Sequence, residues 1–152
     1  AATNSSAAVG YAIASEVLPF TNGTSDTFLG ATVDKSAVVA RYTLAGDATL
    51  DGTVDFNDLV KLAQNYNTTV SSTTESWWNH GDFTYDGIVD FNDLVKLAQN
   101  YNTALPTQPI PGAPIGFDAD LARAFASVPA PGALGFLVAT GLVAMGRRRK
   151  AR

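Results

Sequence analysis

The chain has 152 residues, 46% of them hydrophobic, with no cysteine, which allows one modest domain with tails and excludes disulfides and thiolate metal sites. Five of the ten basic residues lie in the last six positions, so the preceding 146 residues hold 14 acids against five bases, a net charge of −9. Such a surface argues against nucleic acid as a partner and suits cations.

The chain opens on Ala1 rather than Met and shows no signal peptide, which reads as a processed chain or the C-terminal part of a longer protein. Residues 1–44 are expected to form the end of an upstream domain, a helix plus a strand. Ser6–Val17 carries mild helical periodicity, and Ser36–Leu44 (SAVVARYTL) is β-branched and aromatic like a strand.

A repeat occupies residues 45–103. Val54–Thr68 reads VDFNDLVKLAQNYNT, and Val89–Thr103 repeats it at an offset of 35; GDATLDGT at Gly46–Thr53 parallels GDFTYDGI at Gly81–Ile88. Each copy holds a twelve-residue loop, D-x-T-x-D-G-x-[VI]-D-x-x-D, at Asp47–Asp58 and Asp82–Asp93. Calcium is a hard cation that takes roughly six to eight oxygens, and such a loop supplies them from its positions 1, 3, 5, 7, 9 and 12. In the first loop these are Asp47, Thr49, Asp51, Thr53 (through its carbonyl), Asp55 and Asp58. In the second they are Asp82, Thr84, Asp86, Ile88 (carbonyl), Asp90 and Asp93. Gly52 and Gly87 hold the sharp turn at position 6. Four carboxylates crowd each loop, so two calcium ions are expected, with binding coupled to folding. Val54 and Ile88–Val89 are placed to pair the two loops as a short antiparallel ribbon.

After each loop an amphipathic helix is expected. Phe56, Leu59, Val60, Ala63 and Tyr66 form its apolar stripe, repeated by Phe91, Leu94, Val95, Ala98 and Tyr101. Between the copies, Thr69–His80 is expected to hold a short helix and an aromatic plug at Trp77-Trp78. Duplicated loops with Asp at position 12, each followed by one helix, resemble type I dockerins over about Gly46–Asn102. The resemblance implies a mainly α fold: a pair of calcium loop–helix motifs, with a short N-terminal helix and strand region and a C-terminal apolar helix. It also implies a β-sandwich partner, cohesin, and a link to polysaccharide-degrading assemblies. The contact residues it implies are Phe56, Asn57, Ala63 and Gln64, with Phe91, Asn92, Ala98 and Gln99 in the second copy. Identical helices imply two equivalent binding orientations.

Residues 104–116, rich in Pro and Gly, read as a linker, and Phe117–Ser127 as a short amphipathic helix with Phe117, Leu121, Ala124 and Phe125 on one side. Residues 128–152 close the chain with Val128-Pro129-Ala130-Pro131, an uncharged stretch at Gly132–Gly146, and a basic tail beginning Arg147-Arg148-Arg149. The stretch reads as a short transmembrane helix with a cytoplasmic basic end. This layout resembles PEP-CTERM sorting signals, which implies an exported protein, anchored at the membrane before processing by an exosortase, as in surface proteins of planctomycete-type bacteria. Val128, Pro129, Pro131 and Arg147–Arg149 would carry that signal.

No nucleophile–base pair, phosphate loop or zinc spacing is found, and His80 is the only histidine, so no catalytic residue is assigned. Two functions are expected to compete: a calcium-folded docking module, and a calcium-stiffened stalk between an upstream domain and the anchor. An enzyme ranks far behind both.

Overall fold

The computed structural model describes residues 7–21, 23–70, 77–102 and 110–128. The N-terminal segment alternates. In AAVGYAI, Gly10 and Ala12 are buried, while Ala7 and Val9 are exposed and Tyr11 is half-buried. Ala7–Ile13 is accordingly a strand (β1), where a helix over Ser6–Val17 was expected, and only Ala14–Val17 (α1) makes a helical turn. Gly10 and the β-branched Val9 and Ile13 disfavour helix. Pairing with Val38–Leu44 (β4) satisfies the backbone instead, antiparallel from Ala7↔Leu44 to Ile13↔Val38. β4 lies within the expected strand. Between them Ser25–Phe28 (β2) and Ala31–Asp34 (β3) form a hairpin. Its two central residues, Leu29 and Gly30, have φ of 48° and 87°, the positive pair that matches the right-handed twist of a tight hairpin.

Among the described residues 24% are strand and 35% helix, so the architecture is mixed α/β with antiparallel strands, and the mainly α expectation is corrected. The physical cause is the partner that β1 finds at long range. Gly10 lies under the indole of Trp78, and a Cβ there would fall 2.6 Å from both Trp78 Cε2 and Leu50 Cδ2. Gly10→Ala is therefore expected to destabilise the chain by about 2–3 kcal/mol, seen as a lowered urea midpoint.

The repeat folds reciprocally. Phe56–Asn65 (α2) and Phe91–Asn100 (α3) have the same sequence and the same start: Asp55 and Asp90 cap them, and Asp58 and Asp93 reach back to the cap amides at 2.8 and 2.9 Å. Gly46, ahead of the first loop, abuts α3, where a Cβ would sit 2.8 Å from Leu97 Cα. Gly81, ahead of the second, abuts α2, 2.9 Å from Leu62 Cα. The amide of Asn67 donates to Val89 O at 2.7 Å, and that of Asn102 to Val54 O at 3.1 Å. Each repeat thus closes on the other. The expected ribbon between loops is replaced: Ile88–Val89 (β6) pairs with Thr68–Thr69 (β5), the segment leaving α2.

The helices bury Leu59, Leu62, Ala63 and Tyr66, and in the second copy Leu94, Leu97 and Ala98. The buried face is therefore rotated toward Leu62 and Leu97, away from Phe56, which is 38% exposed. Trp78–His80 forms a single 3-10 turn that carries the fully buried Trp78 into the core.

Phe117–Ser127 (α4) has the expected bounds and buries Phe117, Leu121 and Ala124. It lies across the ends of both repeats. Phe117 meets Tyr66 edge-on at 4.9 Å, and Phe125 meets Tyr101 at 5.2 Å. Tyr66 donates its hydroxyl to Asp120 at 3.1 Å. The last part of the linker also packs: Ile110 is buried, and a Cβ on Gly112 would lie 2.7 Å from Gln64 Cγ. Among the described residues no helix is long and apolar enough to cross a membrane. The expected apolar helix at Gly132–Gly146 and the signal residues Pro129, Pro131 and Arg147–Arg149 lie outside the described residues. Val128, which is described, ends α4, its amide on Phe125 O.

Candidate metal loops and partner face

Each loop folds around its position-1 and position-12 carboxylates. Asp47, Asp58, Asp82 and Asp93 are all fully buried. Asp47 accepts from the amides of Asp51 and Gly52 at 3.2 and 2.9 Å, and Asp82 from those of Asp86 and Gly87 at 3.2 and 2.8 Å. Positive φ at Gly52 and Gly87 (98° and 86°) turns those amides inward. Asp58 accepts from the Thr49 amide at 3.0 Å, and Asp93 from the amides of Phe83 and Thr84 at 2.8 and 2.9 Å. The Thr49 hydroxyl stands between Asp47 (3.4 Å) and Asp58 (3.0 Å), so positions 1, 3 and 12 converge. Thr84 lies 3.4 Å from Asp82 in the same way.

Positions 5 and 9 sit at the rim. Asp51 Oδ1 accepts from the amide and hydroxyl of Thr53, and Asp86 Oδ1 from the Ile88 amide at 3.0 Å. Asp55 and Asp90 each use Oδ1 to accept from the amide two residues on, Asn57 and Asn92. In these turns Asp51, Asp55 and Asp86 engage one carboxylate oxygen and leave Oδ2 outside the turn; Asp90 Oδ2 also accepts from the Asn92 side chain at 3.3 Å.

Among the described residues no three acidic side chains are yet gathered as a coordination sphere. The donor chemistry nevertheless fits a hard cation. Buried carboxylates are ordinarily paired with a cation. Among the described residues the ion pair found is Arg123–Asp120 on α4, far in sequence from either loop. Desolvation is the largest influence on three of these carboxyls. It pushes Asp58 and Asp93 up to about 6 and raises Asp47, against the backbone and hydroxyl donors that oppose it.

This has a consequence for the metal-free chain. A carboxyl whose folded pKa stands near 6, above its ordinary 3.8, binds its proton more tightly folded than unfolded. Its contribution is fully present below about pH 4 and is lost as pH rises through about 6. With chelator present, the chain is expected to gain stability on acidification from pH 7 to pH 4.5, by roughly 2–3 kcal/mol per carboxyl at most. The helical circular-dichroism signal in chelator, followed from pH 7 down to pH 4.5, measures it.

A second set of residues braces loop 1 from outside. Trp78 Nε1 donates to Asp47 O at 2.5 Å, the Thr43 hydroxyl donates to Asp47 Oδ2, and Arg41 Nη1 donates to Leu50 O at 2.9 Å. Tyr85, at position 4 of loop 2, donates its hydroxyl to Val9 O and stacks on Tyr11, ring centroids 6.2 Å apart. Motif spacing does not find these residues. The signal available is that Thr43 and Trp78 occupy the same place in the repeat, 35 residues apart, four ahead of position 1.

The implied partner face is split. Asn57, Gln64, Asn92 and Gln99 are exposed, whereas Ala63 and Ala98 are buried and face the core. Phe56 is exposed, but its counterpart Phe91 is partly covered, with the Arg123 guanidinium 4.8 Å from its ring centre. The two copies therefore present different surfaces. No protein-family model, no curated protein and no solved structure matches the chain.

Proposed function

We propose that the chain is a calcium-folded protein-docking module, dockerin-like, of an exported, surface-anchored bacterial protein, and that its partner is a cohesin-like β-sandwich. The observation that carries this reading is the set of four fully buried carboxylates at positions 1 and 12, paired with no basic side chain among the described residues. Two calcium ions would supply the missing positive charge. Asp47, Thr49, Asp51, Thr53, Asp55 and Asp58 would hold one, and Asp82, Thr84, Asp86, Ile88, Asp90 and Asp93 the other. The ions bind and brace; no chemical step is assigned, and the reading gives the chain no catalytic residue. Polysaccharide degradation would belong to the assembly it joins, and processing of the tail to an exosortase-type enzyme. The exposed residues Phe56 and Asn57 form the freer docking face, since α4 shields Phe91 and Gly112 lies against Gln64.

The test is binding of the full chain to a panel of purified cohesin domains, with calcium and with chelator. Calcium-dependent binding that Phe56→Ala weakens by tenfold or more supports docking. A stalk without a partner in trans has one observation in its favour: α4 packs back onto the repeat and takes up part of the second copy's surface. Failure of every cohesin to bind, with calcium still required for folding, selects the stalk.

A further inference from the structure

The two loops share a donor pattern but not their surroundings. Over loop 1 lies β4, and the Arg41 guanidinium occupies the space next to Gly52, where a Cβ would fall 2.8 Å from Arg41 Cζ. The bond from Arg41 Nη1 to Leu50 O holds it there. Over loop 2, the atoms nearest the equivalent point on Gly87 are Cζ3 and Cη2 of Trp77, at 3.8 and 3.9 Å. Position 6 thus carries a fixed positive charge in one loop and an uncharged ring in the other. The Thr43 hydroxyl adds to the difference: it bonds Asp47 Oδ2, while Trp78 stands at the corresponding place before Asp82.

Resting on the calcium reading above, we infer that the loops bind calcium unequally, loop 2 filling first, and that Arg41 sets the gap as a positioning and selectivity residue of loop 1. A guanidinium held against a small loop repels a divalent ion placed inside it, and only partial screening by solvent intervenes. Its hydrogen bond to Leu50 O also shapes the loop, so the charge must be removed without losing the donor.

Arg41→Gln removes the charge and retains an N–H donor on a side chain two bonds shorter, and Arg41→Lys keeps the charge. The experiment is a calcium titration of the full chain followed by the amide signals of Gly52 and Gly87. In the native chain Gly87 is expected to saturate first, with midpoints about three- to tenfold apart, a gap that narrows as salt is raised. In Arg41→Gln the gap narrows by about threefold or more, and in Arg41→Lys it stays. Gly52 saturating first or together with Gly87 in the native chain overturns the inference, as does an unchanged gap in Arg41→Gln. Should Arg41→Gln not fold, the native order and its salt dependence decide alone. If neither amide responds, the calcium reading falls and takes this inference with it; joint saturation sinks the inference only.

Discussion

Stripping calcium from the chain at neutral pH is expected to melt α2 and α3 together. Each loop then holds buried carboxylates facing one another, and Asp58 feels Asp47 as Asp93 feels Asp82. A ligand at a thousand times its dissociation constant stabilises the folded state by about 4 kcal/mol per site. Two such sites approach the entire stability of a small domain, roughly 5–15 kcal/mol. Far-ultraviolet circular dichroism should therefore lose most of its helical signal on chelation and regain it on adding calcium. Both helices should go at once, because Gly46 rests on Leu97 and Gly81 on Leu62, so neither repeat keeps its packing without the other. Acidification toward pH 4.5 should partly substitute for the metal, since protonation removes the negative charge that burial disfavours at Asp58 and Asp93.

Trp78→Ala is expected to cost about 4–6 kcal/mol, the sum of a large buried side chain and a lost buried hydrogen bond. Trp78 is fully buried, meets Phe83 edge-on at 5.1 Å and Tyr85 at 5.5 Å, and covers Gly10 of β1. Its indole nitrogen holds the carbonyl of Asp47. The substitution should therefore release β1 and loosen loop 1 in the same step. Trp78→Phe restores much of the packing without the donor, and should recover more than half of the loss. Urea denaturation of the three forms in saturating calcium separates the contributions. Equal stability of Trp78→Ala and the native chain would mean that the N-terminal strands and the repeat are not joined through this residue.

The loops and helices were legible because their causes are local. An acid at loop position 9 or 12 that caps the following helix acts within three residues, so the spacing alone places Asp55, Asp58, Asp90 and Asp93. α4 was legible for the same reason, its apolar residues following helical period after Gly116. What escaped is set by distant partners. Ala7–Ile13 is short and alanine-rich, and its strand state depends on β4 some 30 residues on and on Trp78 beyond that. The buried face of α2 was drawn through Phe56 and Val60, yet the close approach of the Gly81 backbone turns it toward Leu62. The partner of β6 is the strand leaving α2, because the amide of Asn67 and then Thr68 reach Val89 before loop 1 can. In the candidate site, the acidic ligand positions could be read off the repeat, whereas Arg41, Thr43 and Trp78 act on loop 1 from elements outside it.

The most direct test of the central claim is a calorimetric titration of the purified, metal-free full chain with calcium at neutral pH. The account predicts two ions bound per chain, with helix content rising in step. No binding heat, together with a helical signal that chelator leaves unchanged, would contradict it.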